Sequence, residues 1–125
     1  MSEQRTHFDL VVIGGGPGGY ASALYGSAAG MDVALVEMSK IGGTCLHVGC
    51  IPAKELLETA SVLRTVRHAG EFGVNTSEAT LDLSKTMERK QSVIDQLTKG
   101  VVGLLDRREV TIFNGIGSLS ANRKI

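Results

Sequence analysis

The sequence predicts an α/β fold built on a parallel sheet, and three observations predict it. An apolar, β-branched run, Phe8 to Ile13, stops abruptly at Gly14-Gly15-Gly16-Pro17-Gly18-Gly19. A pattern of small residues suited to a closely packed helix follows, from Pro17 to Ala29. A second apolar run, Asp32 to Val36, then ends on the acid Glu37. Strand, glycine turn, helix, strand, acid is the order of a dinucleotide-binding unit.

Composition narrows the classes. The 125 residues carry 16 glycines, 2 prolines, no tryptophan and no net charge. Charges of both signs are interspersed, which gives neither a nucleic-acid nor a membrane-surface footprint. No apolar run approaches the ~18 residues of a membrane span. Met1 to His7 is polar and lacks a basic-then-apolar secretory pattern. Two close cysteines without such a signal point to redox or metal chemistry in a reducing compartment, so the expected location is cytoplasmic.

Each element has its own justification. Phe8 to Ile13 reads as a buried parallel strand. Gly14 permits the tight turn, Gly16 lets the backbone approach a pyrophosphate, and Gly19 lets the helix lie close on the strand. The helix N-terminus then offers free N–H groups to phosphates, and Gly30 ends the helix. Glu37 lies 23 residues after Gly14, a separation suited to a carboxylate that accepts from ribose hydroxyls. A solvated acid at a strand end is the plainer alternative for that residue.

Ser39 to Thr44 is expected as a loop into Cys45-Leu46-His47-Val48-Gly49-Cys50-Ile51-Pro52-Ala53-Lys54. Pro52 fits the first turn of a helix. Ala53 to Val66 then reads as helix, with Leu56, Leu57, Ala60, Leu63 and Val66 on its apolar side. Glu71 to Thr80 reads as a turn-rich connection, with Phe72 and Val74 in a short extended piece. Leu83 to Arg108 is a long helical pattern with Met87, Ile94, Leu97, Val101 and Leu104 at heptad-like spacing. It suits packing within the domain, or an oligomer seam, and Gly100 and Gly103 suit close approach of a neighbour. Glu109 to Phe113 is a third strand, Asn114 to Gly117 a turn, and Ser118 to Ile125 the start of a further β-segment. Three strands make a thin sheet, so more protein is expected beyond Ile125.

The cysteine stretch has three readings. A structural disulfide requires an oxidising compartment. A structural zinc site requires four ligands, whereas here one cysteine pair is joined by His47, with His7 and His68 in other segments. A catalytic dithiol beside a bound cofactor is the third, and the order of the chain favours it. The adenosine end of a dinucleotide would bind at Gly14 to Glu37, and the next helix begins at the cysteines. Cys50, near the helix N-terminus, gains thiolate character from the positive helix end. Cys45, placed in the more exposed turn, would exchange with an external disulfide or dithiol.

Gly43-Thr44-Cys45-Leu46-His47-Val48-Gly49-Cys50-Ile51-Pro52-Ala53-Lys54 resembles the active-site signature of the class I flavoprotein disulfide reductases, the pyridine nucleotide–disulfide oxidoreductases. The resemblance extends over essentially the whole chain. It implies a three-layer, Rossmann-like FAD-binding domain with a parallel sheet, incomplete here. Residues 1–125 would be its N-terminal segment, with the NAD, central and dimerisation domains absent. Cys45 would be the interchange thiol and Cys50 the charge-transfer thiol beside the flavin. Lys54 would sit near the reactive nitrogen of the ring, and Gly117 would contact the adenosine end. Gly14, Gly16, Pro17, Gly18, Gly19, Glu37, Met38, Gly42, Gly43 and Thr44 complete the cofactor contacts that the resemblance implies. A solvated helix lysine and an ordinary turn glycine are the plainer alternatives for Lys54 and Gly117.

Leu46 and Ile51-Pro52-Ala53 favour the branch of the family that acts on lipoamide over the glutathione and mercuric reductases. The implied reaction of the complete protein is oxidation of dihydrolipoamide, with electrons passing through FAD to NAD. The implied partners are a lipoyl carrier protein of a 2-oxo acid dehydrogenase or glycine cleavage complex, and a second copy in a homodimer. A non-catalytic nucleotide-binding fragment is the reading outside this class. His47 stands where the family usually has asparagine, and Ala53 where it often has serine. A histidine so close to two thiols raises the expectation of a proton-handling role for His47. The 125 residues alone are expected not to turn over.

Overall fold

The computed structural model describes residues 6–121. Along the chain lie β1 (Leu10–Ile13), α1 (Pro17–Ala28), β2 (Val33–Glu37), α2 (Gly43–His47), α3 (Cys50–Arg67), a 3₁₀ turn (Ala69–Phe72), α4 (Leu83–Arg107) and β3 (Thr111–Asn114). The sheet is parallel throughout, in the order β1-β2-β3. Val11 pairs with Ala34, Leu35 with Ile112, and Glu37 with Asn114. Each connection is therefore a crossover, one through α1 and one through α2, α3 and α4.

The central strand is β2, and it alone is nearly sealed: Val33, Ala34 and Leu35 are at most 1% exposed. β1 was expected as a buried strand but lies at the sheet edge, half-buried, with Ile13 46% exposed. The two flanks of a three-stranded sheet cannot both be covered by strands. One face carries Leu10, Val12, Val33, Leu35 and Ile112 against Ala23 and Leu24 of α1 and Val101 and Leu105 of α4. Period-2 alternation sends Ile13 and Val36 to the other face. There the chain after β3 crosses at Gly117, where a Cβ would lie 3.0 Å from Ile13 Cγ2 and 3.2 Å from Val36 Cγ1.

Small residues bring α1 onto the strands. A Cβ on Gly19 would fall on the Gly14 carbonyl oxygen, and one on Gly26 would lie 2.7 Å from Leu10 Cδ2. Gly30, with φ +83°, follows the helix end as expected. Ser27 Oγ donates to the Arg108 carbonyl at 2.7 Å, tying the ends of α1 and α4 together.

Both long helices depart from the expected apolar faces. On α3, Leu57 is 69% exposed and Leu56 and Ala60 are also exposed, while Pro52, Glu55, Thr59, Leu63 and Val66 are shielded. Glu55 turns inward because α4 supplies its counter-ion, with Arg89 Nη2 3.1 Å from Glu55 Oε2. On α4 the shielded line is Thr86, Ile94, Val101 and Leu105, so Met87, Leu97 and Leu104 of the heptad-like series are exposed. A helix packed on a globular core follows 3.6-residue spacing, and a strict 3.5-residue repeat drifts off that face. Gly100 and Gly103 touch no neighbouring element: nothing lies within 4 Å of a Cβ on Gly100, and only Arg107 Nη1 of the same helix, at 3.9 Å, near one on Gly103. Asp82 caps α4 by accepting the Lys85 N–H at 3.0 Å.

Phe72 lies in a 3₁₀ turn closed by Gly73 at φ +76°, and no strand forms at Phe72 or Val74. Residues 118–120 form no strand, and the rest of the expected β-segment, 122–125, lies outside the described residues. Among the described residues no helix is long and apolar enough to cross a membrane.

Candidate functional site

The site lies where the carboxyl ends of β1 and β2 meet the turn before the cysteines. Gly14 leaves β1 with φ +96° while its N–H donates to the Val36 carbonyl at 2.7 Å. Gly16, just before Pro17, caps α1 with its backbone extended. The first turn of a helix has N–H groups without helical acceptors, so Gly18 and Gly19 present theirs at this end. No atom lies within 4 Å of a Cβ built on Gly14, Gly16 or Gly18. That leaves an open backbone cradle of the kind a pyrophosphate occupies.

Glu37 ends β2, 9% exposed. Its Oε2 accepts the Gly15 N–H at 2.6 Å, and its Oε1 accepts the Ser39 N–H at 2.7 Å. These bonds, the one from Gly15 foremost, hold the carboxyl below the usual glutamate value. Spacing found this residue but not its backbone partners. The Met38 amide adds to the same effect, so backbone N–H groups take up most of the roughly four acceptor positions of this carboxylate. Met38 is 76% exposed just beyond the strand end.

The expected loop from Ser39 to Thr44 folds further than the sequence suggests. Gly42 and Gly43 both adopt positive φ, +105° and +57°, and so turn the chain into the five-residue helix α2. The Gly42 N–H donates to the Gly15 carbonyl at 2.7 Å. A Cβ on Gly43 would lie 2.9 Å from the Gly16 Cα. The glycine turn and the cysteine stretch are thus in direct backbone contact. Leu46 buries its side chain beneath α2 at 6% exposure. His47 Nε2 donates to the Ile41 carbonyl at 2.8 Å, which fixes the neutral ring as the Nε2–H tautomer.

Cys45 lies within α2 and Cys50 is the first residue of α3. The exposures are the reverse of the sequence-based expectation: Cys45 is half-buried and Cys50 exposed, both as free thiols. The reason is the return of the chain at Gly49. A Cβ there would stand 3.0 Å from the Thr44 carbonyl oxygen and 3.5 Å from the Cys45 Cα, so the backbone covers that side of Cys45. The two cysteine side chains are within hydrogen-bonding reach, and the bond that the Cys45 S–H donates to Cys50 pushes the Cys45 pKa up. Partial burial adds to the rise, and the Lys54 ammonium works against it. Lys54 itself is exposed on α3. Among the described residues no group of three or more His, Cys, Asp or Glu is placed to hold a metal ion.

Of the sequence-derived candidates, the structure gathers Gly14, Gly16, Glu37, Gly42, Gly43 and Thr44 around the turn. Cys45, Cys50 and Lys54 stand beside them on α2 and α3, and Gly117 packs on the same strand ends. Ser39, Ile41 and the tie from His47 were not anticipated. A double glycine directly after an apolar residue was their one local signal.

A backbone turn of the kind that cradles phosphate is joined directly to a stretch carrying two adjacent thiols. The family described as pyridine nucleotide-disulphide oxidoreductase matches residues 8–124, and the chain belongs to that family. It is 45% identical over 114 residues to a dihydrolipoyl dehydrogenase of Bacillus subtilis, a match covering 91% of this chain and 24% of that protein. It is 41% identical over 118 residues to that of Chlamydia muridarum, covering 94% and 25%. The protein of the same name from Acholeplasma laidlawii is 43% identical over 119 residues, covering 94% and 35%. The chain spans about a quarter to a third of the length of these relatives.

Proposed function

We propose that the chain is the FAD-binding segment of a flavoprotein disulfide oxidoreductase whose complete form oxidises dihydrolipoamide to lipoamide and passes the electrons to NAD. The observation that carries this reading is the backbone contact of Gly42 and Gly43 with Gly15 and Gly16, which sets the dithiol beside the phosphate cradle. The likeness to dihydrolipoyl dehydrogenases supports the substrate class over the other disulfide reductases of the family.

The residues fit such a cofactor. The open backbone at Gly14, Gly16 and Gly18 would hold the pyrophosphate at the N-terminus of α1, and Glu37 would accept from the ribose. FAD, when bound, supplies a two-electron acceptor for the dithiol. Cys45 and Cys50, within hydrogen-bonding reach of each other, would close into a disulfide: two thiols become one S–S bond, releasing two protons and two electrons. In this reading Cys45 is the exchanging thiol and Cys50 the one on the flavin side. Lys54 lowers the cost of negative charge on the sulfur as protons leave. The partners are a lipoyl carrier protein of a 2-oxo acid dehydrogenase or glycine cleavage complex, and a second copy of the complete protein. A close cysteine pair used as a redox dithiol supports a reducing compartment, and the proposed location is the cytoplasm.

The test is an anaerobic visible spectrum of the chain with added FAD, before and after one equivalent of dihydrolipoamide. Flavin binding with a long-wavelength charge-transfer band is the expected outcome, and Cys50→Ser should abolish the band. Failure to bind flavin overturns the cofactor reading, and a band that survives Cys50→Ser reverses the roles of the two thiols.

A further inference from the structure

We infer that His47 is a positioning residue for the dithiol, acting through its bond to the Ile41 carbonyl; this rests on the dithiol reading above. A five-residue helix is far too short to hold itself together. No side chain caps α2. Its orientation is therefore set by what ties it to the rest of the fold.

Two of its side chains make such ties. Leu46 is buried, and His47 Nε2 donates to Ile41, whose side chain belongs to the main core. At about 100° per residue, Leu46 and His47 leave Cys45 on the remaining side of α2. That is the side on which Gly49 and Cys50 return. Anchoring residues 46 and 47 therefore fixes where the Cys45 sulfur stands relative to Cys50. The bond does not depend on the ring's charge. Nε2 keeps its proton in this neutral tautomer and in the imidazolium alike. Nε2, directed at a backbone carbonyl, is committed to this tie and does not face the thiols.

The contrast to test is between two side chains of similar length, His47→Gln, which keeps an N–H donor, and His47→Met, which has none. The readout is the equilibrium of the 125-residue chain with reduced and oxidised glutathione, quenched by acid, alkylated and weighed. Each closure oxidises Cys45 and Cys50 to one disulfide and reduces one oxidised glutathione to two thiols, which carry away both protons. His47→Met is expected to shift this constant toward the open dithiol by about tenfold, about 30 mV for the two-electron couple, since the loosened α2 lowers the local concentration of one thiol at the other. His47→Gln is expected to stay within about twofold of the parent chain. A parent pair that closes, with His47→Met indistinguishable from it, overturns this inference alone. So does a His47→Gln that shifts as far as His47→Met. A parent pair that never closes overturns the dithiol reading itself, and the inference with it.

Discussion

Glu37 Oε2 accepts the Gly15 amide at 2.6 Å, so the acid that ends β2 grips the turn that leaves β1. Its second oxygen takes the Ser39 amide at 2.7 Å, and the turn toward the cysteines starts from the same carboxylate. Before any nucleotide is considered, this side chain joins three backbone segments.

Stability should therefore carry an acid limb. A carboxyl lowered in the folded state stabilises the fold above its unfolded value, and the contribution disappears as pH falls through the folded one. The melting temperature should drop as pH falls from the ordinary glutamate value of 4.5 downward. Glu37→Gln should flatten this limb. At neutral pH it should cost about 1.5–3 kcal/mol, because an amide N–H then faces a backbone N–H. Thermal melts from pH 7 to pH 3 check both.

Two glycines should respond oppositely to alanine. Gly19→Ala sets a Cβ against the Gly14 carbonyl and should destabilise by about 3 kcal/mol or more. Gly100→Ala meets open space on an exposed stretch of α4 and should stabilise by about 0.5–1 kcal/mol. Denaturant titration of the two variants separates a close-approach glycine from a merely tolerated one.

The Cys45 thiol should ionise later than an ordinary cysteine. Its proton is held chiefly by the bond to Cys50, so Cys50→Ala should move its titration down. The pH dependence of iodoacetamide labelling, read by mass at Cys45, measures the direction. An unchanged profile in Cys50→Ala would remove the contact between the two sulfurs from this account.

The Glu55–Arg89 pair should matter more from one side than from the other. Glu55 is 18% exposed and Arg89 58%. Arg89→Ala leaves the inner carboxylate without its counter-ion and should cost about 1 kcal/mol after allowance for solvent screening. Adding Glu55→Leu should return most of that loss, which a double-mutant cycle reads directly.

The strand–turn–helix–strand unit was legible because each part carries its own local mark: β-branched runs, a glycine cluster and an acid at a fixed remove. The adjacency of the two cysteines was legible for the same reason. α2 was not, since five residues show no periodicity and its ties run to Ile41 and Gly15. The inward turn of Glu55 depends on an arginine in the next helix, and a charged residue read alone defaults to solvent. The relative exposure of Cys45 and Cys50 depends on the return of the backbone at Gly49, which only the assembled turn displays.

The junction between the phosphate turn and the cysteines is made of peptide groups, Gly42 to Gly15 and Gly43 against Gly16. Substitutions at Ile51 or Ala53 change the surroundings of the thiols without replacing a peptide group of that joint. A side chain added at Gly43 would have to displace the Gly16 backbone, so the two turns can shift only as one body.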